Sequence, residues 1–198
     1  PIIKTTGEDL KIRMREYVVL HVLKHHRNLP AVTEARNTHQ WKQIIEPPAN
    51  KRTIGIMGLG NLGLDCAITL KNLGFKVNGW SNSKKNIDGI NTFTGEKELT
   101  KFLKQVDILV CMLPLTPKTR GILNLELFNK IEKEFCLINV ARGEHLVEDD
   151  LLKALENKII KEATLDVFHI EPLPIKHPFW KNSKIFITPH IALSLIHI

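Results

Sequence analysis

The sequence predicts an α/β fold with a doubly wound parallel sheet, and three observations support this prediction. From residue 52 onward, short apolar runs alternate with helical patterns, as expected for βαβ units. A glycine-rich turn joins the first apolar run to the first of these helices. Polar residues follow several of the apolar runs, and the carboxyl ends of parallel strands are where such sheets bind ligands.

Three glycines in the turn after the first predicted strand, Thr53–Met57, fit the pattern G-x-G-x-x-G: Gly58, Gly60 and Gly63. Gly58 permits a tight turn, Gly60 lets a pyrophosphate approach the backbone, and Gly63 lets helix and strand pack closely. A turn without ligand is the alternative, but a second predicted strand at Phe75–Trp80 completes a βαβ unit of the right size. We therefore expect a Rossmann-type NAD(P)-binding domain whose cofactor site includes two further turn residues, Asn61 and Leu62.

The remaining predicted elements continue the alternation. The other strands are expected at Asp107–Cys111, Phe135–Val140, Glu162–Asp166 and Lys184–Ile187. The helices between strands are expected at Leu62–Asn72, Lys97–Lys104, Leu125–Lys133 and Val147–Asn157. Earlier in the chain, apolar residues recur at three- and four-residue intervals over Gly7–His26 and predict one more helix, while residues 30–51 lose the pattern and are interpreted as a connector.

The net charge of +7 on this 198-residue chain suggests a nucleic-acid partner as one hypothesis. Its Lys and Arg residues are spread along the chain, so we expect no nucleic-acid partner and interpret the surplus as steering an anionic cofactor or as a solvated surface. The sequence shows no signal peptide and no apolar segment of membrane-spanning length, so we expect no membrane association. Cys66, Cys111 and Cys136 are interpreted as buried reduced thiols, which suits a cytoplasmic protein.

Three histidines of the first predicted helix could suggest a metal site: His21, His25 and His26. The sequence places no carboxylate or cysteine at a matching spacing. We therefore expect no metal and interpret them as surface or interface histidines.

The residues after the second predicted strand bear on which dinucleotide is bound. An NAD-selective site would place Asp or Glu there to bind the ribose hydroxyls, but Ser81 stands in that place, followed by Asn82 and Ser83. Lys84 and Lys85 come next, and cations with hydroxyls can hold a 2′-phosphate by charge-assisted hydrogen bonds. The segment favours NADP(H), with NAD(H) possible, and a solvated polar loop is the alternative.

Four further motifs, in this order, carry a resemblance to a known family: Leu113–Gly121, Asn139–Gly143, Leu165–Pro174 and Thr188–Ala192. Together with the glycine-rich turn they resemble the cofactor domain of the D-isomer-specific 2-hydroxyacid dehydrogenases. Within that family the chain is most similar to the glyoxylate/hydroxypyruvate reductase A group. Two short segments support that choice, Met14–Tyr17 and Trp80–Ser81.

The resemblance implies roles for individual residues. Arg142 would pair with the carboxylate and carbonyl oxygens of a 2-oxo acid, His190 would protonate the carbonyl oxygen, and Glu171 would hydrogen-bond His190, orient its ring and favour its protonated form. Asp166 would face the nicotinamide side of the cofactor. The rest of the implied cofactor groove comprises Leu113, Pro114, Thr119, Val140 and Ala141, with Arg142 and His190 also touching the cofactor. Each residue alone could be an ordinary loop residue, and the set in the family's order favours catalysis.

The implied function is reduction of a small 2-oxo acid, glyoxylate to glycolate or hydroxypyruvate to glycerate, by a homodimeric enzyme. Residues 1–51 would be a crossing helix and connector from a substrate domain largely missing from this chain, residues 52–192 the dinucleotide-binding domain, and residues 193–198 a truncated tail. Two alternatives stay open. One is a dinucleotide-sensing binding protein like the dehydrogenase-related corepressors, and the other an NAD-dependent dehydrogenase of another hydroxy acid, such as phosphoglycerate or lactate.

Overall fold

The computed structural model describes residues 7–193 and contains seven strands and six α-helices within them. The strands are β1 (Thr53–Met57), β2 (Lys76–Ser81), β3 (Asn91–Thr94), β4 (Ile108–Cys111), β5 (Phe135–Asn139), β6 (Ile160–Leu165) and β7 (Ile185–Ile187). The helices are α1 (Gly7–His26), α2 (Leu29–Asn37), α3 (Asn61–Asn72), α4 (Gly95–Leu103), α5 (Leu125–Phe128) and α6 (Glu148–Glu156). Of the expected tail at residues 193–198, all but Leu193 lies outside the described residues.

All seven strands form one parallel sheet in the order β3-β2-β1-β4-β5-β6-β7. The order reverses between β1 and β4, and the crevice at the carboxyl ends of these two strands is where doubly wound sheets bind ligands. The predicted fold class is confirmed. β1 ends at Met57, so the glycine turn begins directly at this crevice.

Two hydrophobic clusters cover the two faces of the sheet, as the burial of parallel strands on both faces requires. One cluster includes Met57, Leu109, Phe102 and Phe128 and packs α4, α5 and α6 on its face. The other includes Ile54, Val110 and Ala67 and packs α1 and α3 on the opposite face. Successive residues of a strand point to opposite faces, which is why neighbours such as Leu109 and Val110 fall in different clusters.

Three elements differ from the sequence expectation. β3 was not predicted, because its Asn-Thr-Phe-Thr sequence is polar and it lies at the edge of the sheet. α2 forms within the expected connector, with Pro30 in its first turn, where proline is tolerated. α5 ends at Phe128 rather than Lys133.

The three histidines of α1 are buried against the sheet. His21, His25 and His26 are 3, 5 and 7% exposed, so their expected place at the surface or an interface is wrong. His25 hydrogen-bonds through its two ring nitrogens to Glu162 Oε2 (3.1 Å) and Thr164 Oγ1 (3.0 Å) of β6. His21 and His25 follow Tyr17 at intervals of four residues and His26 follows Val22 at the same interval, so the three histidines lie on the buried face of α1.

None of the helices within residues 7–193 is both long enough and apolar enough to cross a membrane.

Burial of His21 predicts a pH-dependent stability. Its desolvation, with the nearby Lys24 and His25, lowers the pKa of His21 to about 4. The pKa of His21 in the unfolded chain is about 6.5, so between this pH and about 4 the unfolded chain binds more protons than the folded one. The free energy of unfolding therefore falls as the pH falls through this range, by up to about 3 kcal/mol. Urea unfolding at several pH values should show this fall, and His21→Leu should make it smaller.

The matched control is the exposed His39, whose replacement by Asn suits its left-handed backbone. His39→Asn should leave the pH dependence as in the parent. If the free energy of unfolding changed with pH equally in His21→Leu and in the parent, the burial argument would be contradicted.

Candidate active site

The glycine turn after β1 is shaped as its three glycines require. Gly58 has a φ of 107°, and a Cβ on it would lie 2.6 Å from the carbonyl oxygen of Met112. A Cβ on Gly63 would overlap the carbonyl oxygen of Gly58. No heavy atom of the described chain lies within 4 Å of the position a Cβ on Gly60 would take. The turn therefore has no room for a side chain at Gly58 and Gly63, but it has free space at Gly60.

The N-terminus of α3 adjoins this open position. Gly60 is the N-cap of the helix, and no side chain of the described residues caps it. The first-turn N–H groups, which have no partner within a helix, are thus available to an anion together with the positive end of the helix dipole. An open cradle of backbone donors fits the pyrophosphate of a dinucleotide.

The segment after β2 presents three exposed residues at the same edge: Asn82, Ser83 and Lys84. Ser81 itself is only 8% exposed, and its hydroxyl donates a hydrogen bond to the carbonyl oxygen of Ser83 (2.8 Å). Ser81 therefore shapes the turn, and the groups that face solvent belong to the residues after it.

The loop after β4 is braced from within. The buried Thr119 donates its hydroxyl proton to the carbonyl oxygen of Pro114 (2.7 Å) and accepts from the backbone N–H of Thr116 (2.9 Å). Leu113 is also buried, so Pro114 is the exposed one of the three groove residues in this loop. Thr119 holds the loop in shape.

The turn after β5 fixes the backbone of Arg142. The carbonyl oxygen of Arg142 accepts hydrogen bonds from Asn139 Nδ2 (3.1 Å) and from the backbone N–H of His145 (3.2 Å), and His145 Nδ1 lies 3.1 Å from it. Val140 and Ala141 are buried and carry the chain to the exposed Arg142 side chain. One of its guanidinium nitrogens donates to the carbonyl oxygen of Ala141 (2.6 Å), which leaves the other donors of the planar group available.

Gly143 lets this turn pack against the loop that follows β6. A Cβ on Gly143 would overlap the backbone of Phe168 and His169, so only glycine allows this approach. The contact brings Arg142 near Glu171, and the Arg142 charge is one of the influences on the pKa of that carboxyl.

His190 and Glu171 form the hydrogen-bonded pair that the resemblance implied. His190 Nδ1 lies 2.7 Å from Glu171 Oε2, and the backbone N–H of Phe168 donates to Glu171 Oε1 (2.9 Å). Burial by itself would raise the pKa of Glu171, but these two hydrogen bonds and the nearby His190 and Arg142 together lower it. The carboxyl is therefore ionised at neutral pH and accepts a hydrogen bond from Nδ1, which leaves Nε2 as the ring nitrogen that is not engaged by Glu171.

Asp166 anchors the segment that carries His190. Its carboxylate is 1% exposed and accepts hydrogen bonds from Thr188 Oγ1 (2.6 Å) and from the backbone N–H groups of Ile191 (2.8 Å) and Ala192 (2.9 Å). Its observed contacts are with protein, so its expected place beside a nicotinamide stays a prediction.

A cavity of about 410 Å³ adjoins the His190–Glu171 pair. Apart from these two residues its walls are mostly apolar: Phe168, Pro172, Leu173, Trp180, Ile187 and Pro189. An apolar wall with one acid–base pair at its edge suits a small organic substrate. Among residues 7–193 no three His, Cys, Asp or Glu side chains cluster as metal ligands.

The structure gathers the sequence-predicted residues at one edge of the sheet, because each follows the carboxyl end of a parallel strand. The buried members shape the backbone at this edge, and the exposed members are Gly60, Asn61, Asn82, Ser83, Lys84, Pro114, Arg142, Glu171 and His190. Sequence reasoning missed the roles of Gly143, His145 and Thr188. Gly143 and Thr188 lie inside the quoted motifs, which is the signal that could have found them. His145 carried no such signal.

Comparison with known proteins agrees with this geometry. Residues 19–192 match the sequence model of the family described as D-isomer specific 2-hydroxyacid dehydrogenase, NAD binding domain. The chain is 43% identical over 192 residues to glyoxylate/hydroxypyruvate reductase A of Serratia proteamaculans, an alignment that covers 97% of this chain and 61% of that protein. It is 41% identical, with the same coverage, to the reductase of the same name from Yersinia enterocolitica. The chain thus spans about three fifths of the length of these relatives.

Solved structures give the same result. The NADPH-dependent glyoxylate/hydroxypyruvate reductase of Sinorhizobium meliloti, in complex with NADP and sulfate, has a TM-score of 0.93 and 40% identity, covering 96% of this chain and 61% of that one. A probable 2-hydroxyacid dehydrogenase from Rhizobium etli CFN 42, in complex with NADP, HEPES and L(+)-tartaric acid, has a TM-score of 0.91 and 40% identity, covering 95% and 61%.

The glycine turn predicts opposite outcomes for two alanine substitutions. Gly63→Ala forces a methyl group into the Gly58 carbonyl and should lower the free energy of unfolding by about 3 kcal/mol or more. Gly60→Ala enters open space at a φ of −70° and should change it by less than about 1 kcal/mol. Urea unfolding of both variants is the measurement. Equal losses in the two would contradict the packing assigned to Gly63.

Proposed function

The chain belongs to the D-isomer-specific 2-hydroxyacid dehydrogenase family, and we propose that it carries the cofactor-binding and proton-donating part of an NAD(P)H-dependent reductase of small 2-oxo acids. The observation that carries the proposal is the 2.7 Å hydrogen bond between His190 Nδ1 and Glu171 Oε2, at the sheet edge that also holds Arg142 and the open glycine turn. A pure binding domain has no need of an oriented histidine–carboxylate pair beside a cavity.

His190 acts in this proposal as the general acid. Because the Glu171 carboxylate accepts the Nδ1 proton, the proton delivered to a substrate carbonyl oxygen leaves from Nε2. The carboxylate also stabilises the imidazolium that holds this proton before transfer. The lowered pKa of Glu171 keeps this carboxylate ionised and able to accept the hydrogen bond from Nδ1.

Arg142 orients the substrate in this proposal. Its guanidinium offers several donors in a plane, which match the carboxylate and carbonyl oxygens of a 2-oxo acid. The carbonyl oxygen of Arg142 is held by Asn139 and His145, so the base of the side chain is fixed. When bound, the reduced nicotinamide supplies the hydride.

NADP(H) is the preferred cofactor in the proposal. The glycine turn and the α3 N-terminus would hold the pyrophosphate, and Ser83 and Lys84 would hold the 2′-phosphate, with Ser81 bracing their turn. The segment carries no carboxylate from Ser81 to Lys85 to repel that phosphate. Two structural relatives are described in complex with NADP, which supports the preference.

The relatives' names support glyoxylate and hydroxypyruvate as substrates, reduced to glycolate and glycerate. We also propose a homodimer and a cytoplasmic location, as the resemblance and the three buried reduced cysteines suggest.

The first test is the activity of the full-length gene product. Loss of reduced-cofactor absorbance with glyoxylate and hydroxypyruvate should be faster with NADPH than with NADH. His190→Ala should lower kcat at least about 10²-fold, because it removes the general acid, while NADPH binding stays within about twofold. His39→Asn, an exposed histidine far along the chain from the pair, is the control and should keep full activity.

Binding of NADPH without turnover of any 2-oxo acid would overturn the reductase proposal and favour the dinucleotide-sensing alternative. Turnover with a preference for NADH would overturn the NADP assignment alone.

The 2′-phosphate pocket has its own test. Replacing both Lys84 and Lys85 by Ala should raise the Kd for NADPH roughly tenfold and that for NADH less than about twofold, because only NADPH carries the phosphate these cations would bind. The control with the same loss of charge is Lys101→Ala with Lys104→Ala, at the end of α4. An equal increase of the Kd for NADPH and for NADH would show that the two lysines attract both cofactors through their charge and do not bind the 2′-phosphate.

A further inference from the structure

We infer that Tyr17 of α1 is a positioning residue for His190 and acts on it through Thr188 and Asp166. The inference rests on the proposed reductase function. Tyr17 Oη lies 2.5 Å from Thr188 Oγ1, and Thr188 Oγ1 lies 2.6 Å from Asp166 Oδ1. All three side chains are buried, with exposures of 8, 9 and 1%. The chain of contacts therefore runs from the first helix to the segment that bears the proposed acid.

The direction of each hydrogen bond follows from the donors available. Backbone N–H groups donate to both oxygens of Asp166, which therefore acts as an acceptor, and Thr188 donates its single hydroxyl proton to it. Thr188 Oγ1 is then left as an acceptor, and Tyr17 must donate to it. Burial foremost, with the Asp166 charge nearby, raises the pKa of Tyr17 above its ordinary value despite the Thr188 contact. The phenol accordingly keeps its proton across the working pH range.

His190 needs this support because its backbone is strained. Its φ of 54° lies in the left-handed region, which is unfavourable for a residue with a Cβ and persists only where the surroundings hold the backbone there. Its N–H donates to the carbonyl oxygens of Asp166 (2.9 Å) and Thr188 (3.0 Å). The next two N–H groups, of Ile191 and Ala192, donate to the Asp166 carboxylate.

Two separate groups of hydrogen bonds therefore determine the position of the His190 imidazole. Glu171 acts on the ring through Nδ1, while the Asp166 carboxylate accepts from the Thr188 hydroxyl before His190 and from backbone N–H groups after it. Tyr17 does not line the cavity, and its hydrogen bonding reaches His190 through Thr188 and Asp166. It fixes where the carboxylate points by fixing the hydroxyl that donates to it. That makes Tyr17 a positioning residue rather than a catalytic one.

The test uses the full-length protein with Tyr17→Phe, which removes one hydroxyl and keeps the packed ring. We expect kcat for the 2-oxo acid to fall roughly tenfold, since a small displacement of a reacting group has an effect of this order, while KM and the Kd for NADPH change less than about twofold. In cofactor-free protein labelled with ¹³C at histidine Cε1, the His190 NMR signal should shift in position.

Two further variants separate positioning from packing. Thr188→Ser keeps the hydroxyl and should retain kcat within about threefold, whereas Thr188→Val should reproduce or exceed the loss in Tyr17→Phe. Val22→Ala, which opens a cavity in the same face of α1 away from the network, should lower stability but leave kcat and the His190 signal unchanged.

Parental kcat in Tyr17→Phe with an unmoved His190 signal would overturn the inference. An equal loss in Val22→Ala would overturn it too, because stability would then explain the effect. If the parent protein turns over no 2-oxo acid, the proposed function fails, but the NMR arm still decides whether Tyr17 positions His190.

Discussion

The buried carboxylate of Asp166 is the interaction on which the arrangement of the candidate site depends. A carboxylate that is 1% exposed must be hydrogen-bonded, because leaving it unpaired would cost several kcal/mol. All three of the side-chain contacts described for it come from the segment just after β7. The end of β6 is thereby tied to the segment that carries His190, and the ring can meet Glu171 only because that segment is held there.

The parallel sheet explains why the other parts of the site meet the same edge. Every strand ends on the same side, so the glycine turn after β1, Arg142 after β5 and Glu171 after β6 lie along one edge of the sheet although the chain separates them widely. How closely backbone segments at this edge can approach each other then depends on the side-chain volume at the points of contact. Gly63 and Gly143 both lie where a methyl group would overlap backbone, so Gly63 lets α3 pack against the end of β1 and Gly143 lets two separate turns approach each other.

The parts of this structure that sequence predicts are those encoded by local patterns. α1 spans Gly7–His26 as its apolar spacing predicts, and the catalytic candidates were found because motifs mark the ends of buried strands. β3 was missed because a short polar edge strand gains little from burial and so carries no hydrophobic signal. The inward hydroxyl of Ser81 and the inward carboxylate of Asp166 were also beyond prediction. Side-chain direction at a strand end depends on partners that come from elsewhere in the chain.

The contact between Tyr17 and Thr188 joins residues 171 positions apart, and it changes how the first helix should be understood. The resemblance makes residues 1–51 a crossing helix and connector outside the dinucleotide-binding domain, but the buried face of α1 belongs to the same hydrophobic cluster as β1 and β4. Loop-closure entropy grows only slowly with separation, so a contact this distant can be stable once the sheet is formed. Because α1 packs beneath the sheet and reaches the His190 segment through Thr188, removing it would expose that cluster and release the anchor of the strained histidine. The helix is thus part of the site as well as part of the core.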